Sequence, residues 1–158
     1  MRITGILIFI GLLMAACDDQ RVFEKYVDFE DRYWLVNEKP AFEFEIKDPQ
    51  KKYNIYANVR NSVSYPWSRL FIDYALTDSS GTQLKTNLMN EFLFDLESGK
   101  PFGESGLGDI YDHQFLLLKD FQFKNPGKYV VTFEQQMRAD TLQGILAVGV
   151  RVEQAEAN

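Results

Sequence analysis

Beyond Pro40 the chain alternates apolar and polar side chains in short runs. Phe42, Phe44 and Ile46 alternate with Glu43, Glu45 and Lys47, and Tyr53, Ile55, Ala57 and Val59 with Asn54, Tyr56, Asn58 and Arg60. Leu70, Ile72, Tyr74 and Leu76 repeat the pattern, as do Tyr129, Val131 and Phe133, and finally Leu146, Val148, Val150 and Val152. Successive side chains of a strand point to opposite faces, so a period of two marks a strand with one face buried. Asp48-Pro49, Thr77 to Gly81 and Asn125-Pro126-Gly127 punctuate the runs as turns. Gln83 to Leu96 is less regular and reads as one bent strand or two short ones, and Ile110 to Phe123 is a further apolar stretch. About seven or eight short strands without a sustained helical period predict an all-β domain, an antiparallel two-sheet β-sandwich of jelly-roll-like form. Alternation, as opposed to continuous apolar runs, favours antiparallel sheets with one wet face. A closed barrel is the competing architecture.

The first residues follow another logic. Arg2 is a short positive start, Ile3 to Leu13 is apolar, and Met14-Ala15-Ala16-Cys17 closes the run ahead of Asp18-Asp19. This is the layout of a secretory signal peptide. The apolar run is too short for a transmembrane helix, which needs about 20 residues. Two small residues before a cysteine form the lipobox pattern, although Met14 stands where leucine is usual. Cleavage before Cys17 and lipidation of its thiol are therefore expected. Cys17 is also the only cysteine, so no intramolecular disulfide competes for it. The expected division is a signal peptide over residues 1–16, a lipid-anchored lead-in over 17–39 that packs through Tyr33 and Trp34, and a sandwich over 40–154.

Composition narrows the partners. The net charge is −6, and loss of residues 1–16 removes Arg2 and makes it −7. An acidic balance argues against nucleic acid and against anionic lipid surfaces, both of which select a basic footprint. Aromatic residues make up 15% of the chain, enough to fill a core and leave some rings for contact.

Catalytic candidates are few. His113 is the only histidine, so a nucleophile–histidine–acid arrangement would have to pass through it, with Asp109 or Asp112 as orienter. The same residues also read as an ordinary loop-to-strand junction. Familiar zinc sites lack ligands, and no EF-hand pattern supports calcium. Neither a metal nor a cofactor is expected. Gly103-x-x-Gly106-x-Gly108 is in the wrong order for a dinucleotide fingerprint and reads as a loop needing positive φ or close backbone approach. Tyr65-Pro66-Trp67 could stack on a sugar or a protein, or anchor its loop inside, which keeps a lipid-anchored carbohydrate-binding module in view.

Four stretches together resemble the GldH gliding-motility lipoprotein family of Bacteroidetes. They are Cys17-Asp18 with Arg21-Val22-Phe23; Tyr53 to Asn61 running through Tyr65 to Leu70; Gly106-Leu107-Gly108-Asp109-Ile110; and Pro126 to Tyr129 with Glu134 to Arg138, Leu142 to Ile145 and Val148 to Glu153. The resemblance implies a non-catalytic envelope lipoprotein linked to gliding and to type IX secretion, with other proteins of that machinery as partners. It also implies an outer-membrane anchor facing the periplasm, and it carries no catalytic residues. The partner surface is expected on the two loops that combine motif residues with special backbone needs: Arg60, Asn61, Tyr65 and Trp67 on one, Gly106, Gly108 and Asp109 on the other.

Overall fold

The computed structural model describes residues 20–156, so the signal peptide and Cys17 lie outside the described residues. Among the described residues are eleven strands: β1 (Arg21–Asp28), β2 (Tyr33–Leu35), β3 (Ala41–Ile46), β4 (Lys52–Ser62), β5 (Arg69–Asp78), β6 (Gln83–Phe92), β7 (Glu104–Ser105), β8 (Ile110–Gln122), β9 (Gly127–Gln135), β10 (Thr141–Gln143) and β11 (Ile145–Gln154). They form an antiparallel two-sheet sandwich. One sheet runs β1-β11-β4-β8-β7, the other β3-β9-β5-β6, and β10-β2 is a small ribbon.

The alternating runs became strands because each buries one row. Phe42, Phe44 and Ile46 of β3 are buried while Ala41, Glu43 and Glu45 are exposed, and β5 and β9 repeat this. The two buried faces meet in one core, where Phe23 and Phe44 approach to 5.7 Å between ring centroids. Phe123 stands edge-on to Tyr53 at 5.6 Å and packs at 4.4 Å from Tyr129. Aromatic pairs in such tilted geometries add about 0.5–1.5 kcal/mol beyond their burial. Every buried side-chain nitrogen and oxygen among the described residues has a hydrogen-bond partner.

Strands begin well before position 40. Residues 21–28 of the lead-in segment form β1, an edge strand paired with β11 from Arg21↔Glu153 to Asp28↔Ala147. Its alternation is faint because an edge strand that overhangs the core buries little, and here only Phe23 and Glu24 are even half-buried. Trp34 packs as expected: it is fully buried, stacks on Phe29 at 5.5 Å and donates from Nε1 to the Glu38 carbonyl. The less regular stretch from Gln83 resolves into the single strand β6, with Leu93 and Phe94 buried beyond it.

Strand register sorts the loops into two ends. At one end lie the start of β1, the β3–β4, β5–β6 and β8–β9 turns, and the end of β11. The β1–β2, β4–β5, β6–β8 and β9–β10 connections lie at the other. Gln20 belongs to the first end, because the Gln154 N–H donates to its carbonyl at 2.8 Å.

Gly149 tests the docking of β1. A Cβ there would stand 2.6 Å from the Lys25 carbonyl oxygen and 2.8 Å from Cδ1 of Tyr26. Gly149→Ala is expected to destabilise the fold by about 1–3 kcal/mol, in the range of overpacked sites. Urea unfolding checks the loss, and hydrogen exchange should show it concentrated in β1.

Candidate functional site: the loop end and the outer face of the larger sheet

The two expected loops do adjoin. The Val63 N–H donates to the Asp109 carbonyl at 2.9 Å, and Ser62 pairs with Ile110. The glycine loop is a hairpin: β7 pairs back on β8, and the Gly106 N–H donates to the Ile110 carbonyl at 2.8 Å. Gly108 has φ +70°, a region that favours glycine. Gly103 serves close approach instead, since a Cβ there would stand 2.7 Å from Nε2 of His113. Leu107 at the tip is 90% exposed, with Val63 and Phe102 also uncovered. Arg32, itself at φ +60°, donates to Asp109 at 3.2 Å and ties the β1–β2 connection to this tip.

Asp95 shapes the first part of the same connection. Its Oδ1 accepts from the Ser98 hydroxyl at 2.7 Å and from the Ser98 and Glu97 N–H groups. Those bonds hold its carboxyl below the usual carboxylate range.

The expected residues divide into exposed and buried sets. Arg60 lies on the outer face of β4, where it donates to Asp112 at 2.8 Å and sits over the Tyr26 ring at 5.7 Å. The hydrogen bond to Asp112 raises the Arg60 pKa. Burial, with Glu24 nearby, raises that of Tyr26. Because both partners of the Arg60–Asp112 pair are 39% exposed, it contributes about 1 kcal/mol at most. Asn61 and Tyr65 point inward. Tyr65 is buried, donates its hydroxyl to the Arg69 carbonyl at 2.7 Å, and is pushed well above the usual tyrosine range by burial. Gly144, at φ +81°, leaves room for it: a Cβ there would lie 2.6 Å from the Tyr65 nitrogen.

Trp67 is 40% exposed but meets Tyr65 edge-on, at 64° between ring planes. The two rings form no flat platform for a sugar. Trp67 lines a cleft of about 440 Å³ with Phe71, Gln136, Met137 and Arg138, and Phe71 belongs to the outer face of the smaller sheet. The sandwich therefore separates Trp67 from Arg60. Periodicity could not show this, because the intervening loop reverses between sheets.

The pairing of β1 with β11 creates a polar face that the sequence did not reveal. Glu24 accepts from Asn58 at 3.0 Å and from Arg151 at 3.3 Å, and Gln114 donates to Asn58 at 3.1 Å. Arg151 also bonds Glu153 at 2.9 Å. Beside this network a cleft of about 470 Å³ is lined by Tyr26, Asn58, Phe102, Gly103, Glu104 and Gln114, among others.

His113 faces the interior. Its Nε2 lies 2.9 Å from Oδ1 of Asn61, whose Nδ2 donates to the Ser62 carbonyl. The Asn61 oxygen is thus the acceptor, and Nε2 carries the proton. Phe115 stacks on the ring at 5.6 Å. Burial lowers the His113 pKa, against a smaller opposing pull from Asp112. Among the described residues no group of three or more His, Cys, Asp and Glu side chains is placed to hold a metal ion.

Residues 21–152 match the family model described as GldH lipoprotein. The chain belongs to the GldH lipoprotein family. A relative from Flavobacterium johnsoniae named gliding motility lipoprotein GldH is 32% identical across 99% of this chain and all of that protein. A GldH homolog from Christiangramia forsetii is 29% identical over 96% of this chain and 94% of its own length. Among solved structures, an infectious bursal disease virus structure aligns with 89% of this GldH-family chain and 31% of its own, at 11% identity and a TM-score of 0.36.

The lowered His113 pKa sets a pH dependence. The folded state resists protonation, so the unfolded chain takes up its proton first, near the ordinary value of 6.5. Stability is then fully present above that value and falls as pH drops through it. Urea midpoints between pH 7.5 and 5.5 should show this slope, and His113→Gln should flatten it.

Proposed function

We propose that this chain is a lipid-anchored cell-envelope protein that supports gliding motility and type IX secretion as a non-catalytic assembly component. Family membership over nearly the whole chain carries the reading. The signal-like residues 1–16 and the lipobox ending at Cys17 support anchoring through that cysteine; the outer membrane, facing the periplasm, is the placement that the family resemblance favours. Two or three acyl chains would make the attachment effectively permanent, because each buried methylene contributes about 0.8 kcal/mol. The non-catalytic role is supported by His113, whose ring is buried and hydrogen-bonded to Asn61 inside the sandwich.

The partner is another envelope protein of the same machinery, and it meets the loop end. Leu107, Val63 and Phe102 offer exposed apolar contact there, rimmed by Asp109, Arg32 and Arg60. An apolar centre within a polar rim is the usual anatomy of a protein interface. Asn61 and Tyr65 would support this surface from within, and Gly106 and Gly108 would shape its hairpin.

Two experiments bear on this reading. Cys17→Ser is expected to abolish palmitate labelling and to move the protein from the membrane to the soluble fraction; retained labelling would refute anchoring at Cys17. Leu107→Asp combined with Asp109→Ala and Arg60→Ala is expected to reduce partner recovery by crosslinking about tenfold or more, the scale of losing one or two interface anchors. Normal recovery, secretion and motility at unchanged protein level would exclude the loop end.

A further inference from the structure

Among the described residues β1, β3, β6 and β8 each leave an edge of the two main sheets open, and three of these edges are guarded. β1 shifts register between Arg21 and Phe23 and carries four charged residues, Arg21, Glu24, Lys25 and Asp28. β3 is short, follows Pro40 and turns Glu43 and Glu45 outward. β8 is covered by β7 at Tyr111 and Asp112, and shifts register against β4 between Leu116 and Phe121. Shortness, charge, bulges and cover are the devices that keep a sheet edge from pairing again.

β6 is long and runs straight. It pairs with β5 from Leu76↔Lys85 to Arg69↔Phe92 without a shift. It holds no proline or glycine, and Thr86, Asn87, Leu88 and Asn90 are exposed. Its two charges, Lys85 and Glu91, are of opposite sign, and neither makes an ion pair among the described residues.

The direction of its free backbone groups follows from β5. The Phe71 carbonyl accepts from the Gln136 N–H, so odd-numbered residues of β5 bond toward β9 and even-numbered ones toward β6. Leu70, Ile72 and Tyr74 therefore bond Glu91, Met89 and Asn87, and the N–H and C=O groups of Thr86, Leu88 and Asn90 face out of the sheet. The Leu88 N–H accordingly takes the side-chain oxygen of its neighbour Asn87, at 2.9 Å. The flank beside this edge is incompletely covered as well. Tyr74 donates its hydroxyl to the Leu117 carbonyl at 3.1 Å, which sets β8 across the core from the edge, and Leu84, Phe115, Leu117 and Phe121 are only half-buried there.

A second β6 can bond this edge antiparallel only where outward-facing residues stand opposite one another. Leu88 against Leu88 is the register that also matches charge, since it sets Lys85 opposite Glu91 on both sides of the centre. Shifting the centre to Asn87 sets Lys85 against Met89, and shifting it to Met89 sets Glu91 against Asn87. Opposite charges facing across a ladder favour a register, and like charges disfavour it.

We propose that β6 is a homodimer edge, at which two copies of this chain pair antiparallel about a two-fold axis through Leu88 and join their four-stranded sheets into one. A patch that complements itself is what closes a two-fold dimer. The Leu88 N–H then exchanges the Asn87 oxygen for the Leu88 carbonyl of the second copy. The axis is perpendicular to the sheet, so the half-buried flanks face each other. Both copies also turn the larger sheet, with the segment leading back to Cys17, to the same side.

The test uses the full chain in its native membranes under mild oxidation, with dimer yield read above that of the unsubstituted chain, whose only thiol is Cys17. Opposed hydrogen-bonded residues stand about 5.5 Å apart between Cα atoms, within reach of a disulfide. Leu88→Cys should therefore crosslink to itself. Asn90→Cys should not, because its two copies stand about 14 Å apart along the strand, but it should crosslink to co-expressed Thr86→Cys. Lys85→Glu or Glu91→Lys, added to Leu88→Cys, should each lower the yield several-fold, and the two together should restore it. No crosslink through Leu88→Cys, an equal one through Asn90→Cys alone, or capture of a different protein in place of a second copy would overturn the proposal.

Discussion

Gly149 must be small because the Lys25 carbonyl and the Tyr26 ring occupy the space above it. This contact seats β1 against β11, and much of the remaining organisation follows from the seat. With the register fixed at Tyr26↔Gly149, Glu24 falls beside Arg151, within reach of Asn58 on the next strand but one. The same register carries Phe23 over the core, where it meets Phe44 of the opposite sheet. It also brings Gln20 to the end of β11, which decides the end of the sandwich from which the chain runs back toward Cys17. An edge strand with little burial thereby orients the whole domain. Its stability comes from ladder hydrogen bonds and one fitted ring more than from apolar area.

The structure separates architecture from presentation. Consecutive long strands change sheets at every step except β5–β6, so nearly every connection crosses an end of the sandwich. Connections at the β1-entry end are short turns closed by Asp48, Asp78 and Asn125-Pro126-Gly127. Those at the other end are long and carry the hairpin, the exposed Leu107 and the β2–β10 ribbon. Loops fixed at both ends by a rigid scaffold are where binding surfaces usually arise. The long connections are themselves braced. Arg32 reaches Asp109, Gly144 donates to the Arg32 carbonyl, and the Ser62 N–H donates to the Gly144 carbonyl.

Much of the sandwich was legible in the chain because β3, β5 and β9 bury one strict row each, and period two is unmistakable in such strands. β1 was not legible: Arg21 to Asp28 alternates too weakly to distinguish an edge strand from an irregular lead-in. Of the loop glycines, Gly108 has the expected positive φ and Gly103 the expected close approach, while Gly106 shows neither. Which partner each glycine approached depended on strand pairing distant in sequence. The loop from Arg60 to Trp67 showed the same limit. Its residues are neighbours along the chain, yet Asn61 and Tyr65 turn inward while Arg60 and Trp67 lie on opposite outer faces. Polar character gave no warning for Asn61, because its burial is compensated by a histidine fifty-two positions away. The edge-on meeting of Tyr65 with Trp67 likewise weakens the carbohydrate-binding alternative, which needed two rings in one exposed plane.

Charge was the property least recoverable from composition. The excess of acidic over basic residues is real, but a carboxylate acts at long range only where its charge is not already matched. Asp78 and Asp95 keep theirs, since the N–H and hydroxyl groups of their own turns that donate to them are neutral. Glu24, Glu43, Asp112, Glu134 and Glu153 are matched by cations in ion pairs. What an approaching surface meets is the remainder. At the loop end it is acidic, with Glu30, Asp31, Glu38, Glu97 and Glu104 all exposed. At the β1-entry end the exposed lysines stand among Glu45, Asp48, Asp78, Asp120 and Glu156, and the two signs nearly cancel. The β1 seat decides which of these two ends the chain leaves on its way back toward Cys17.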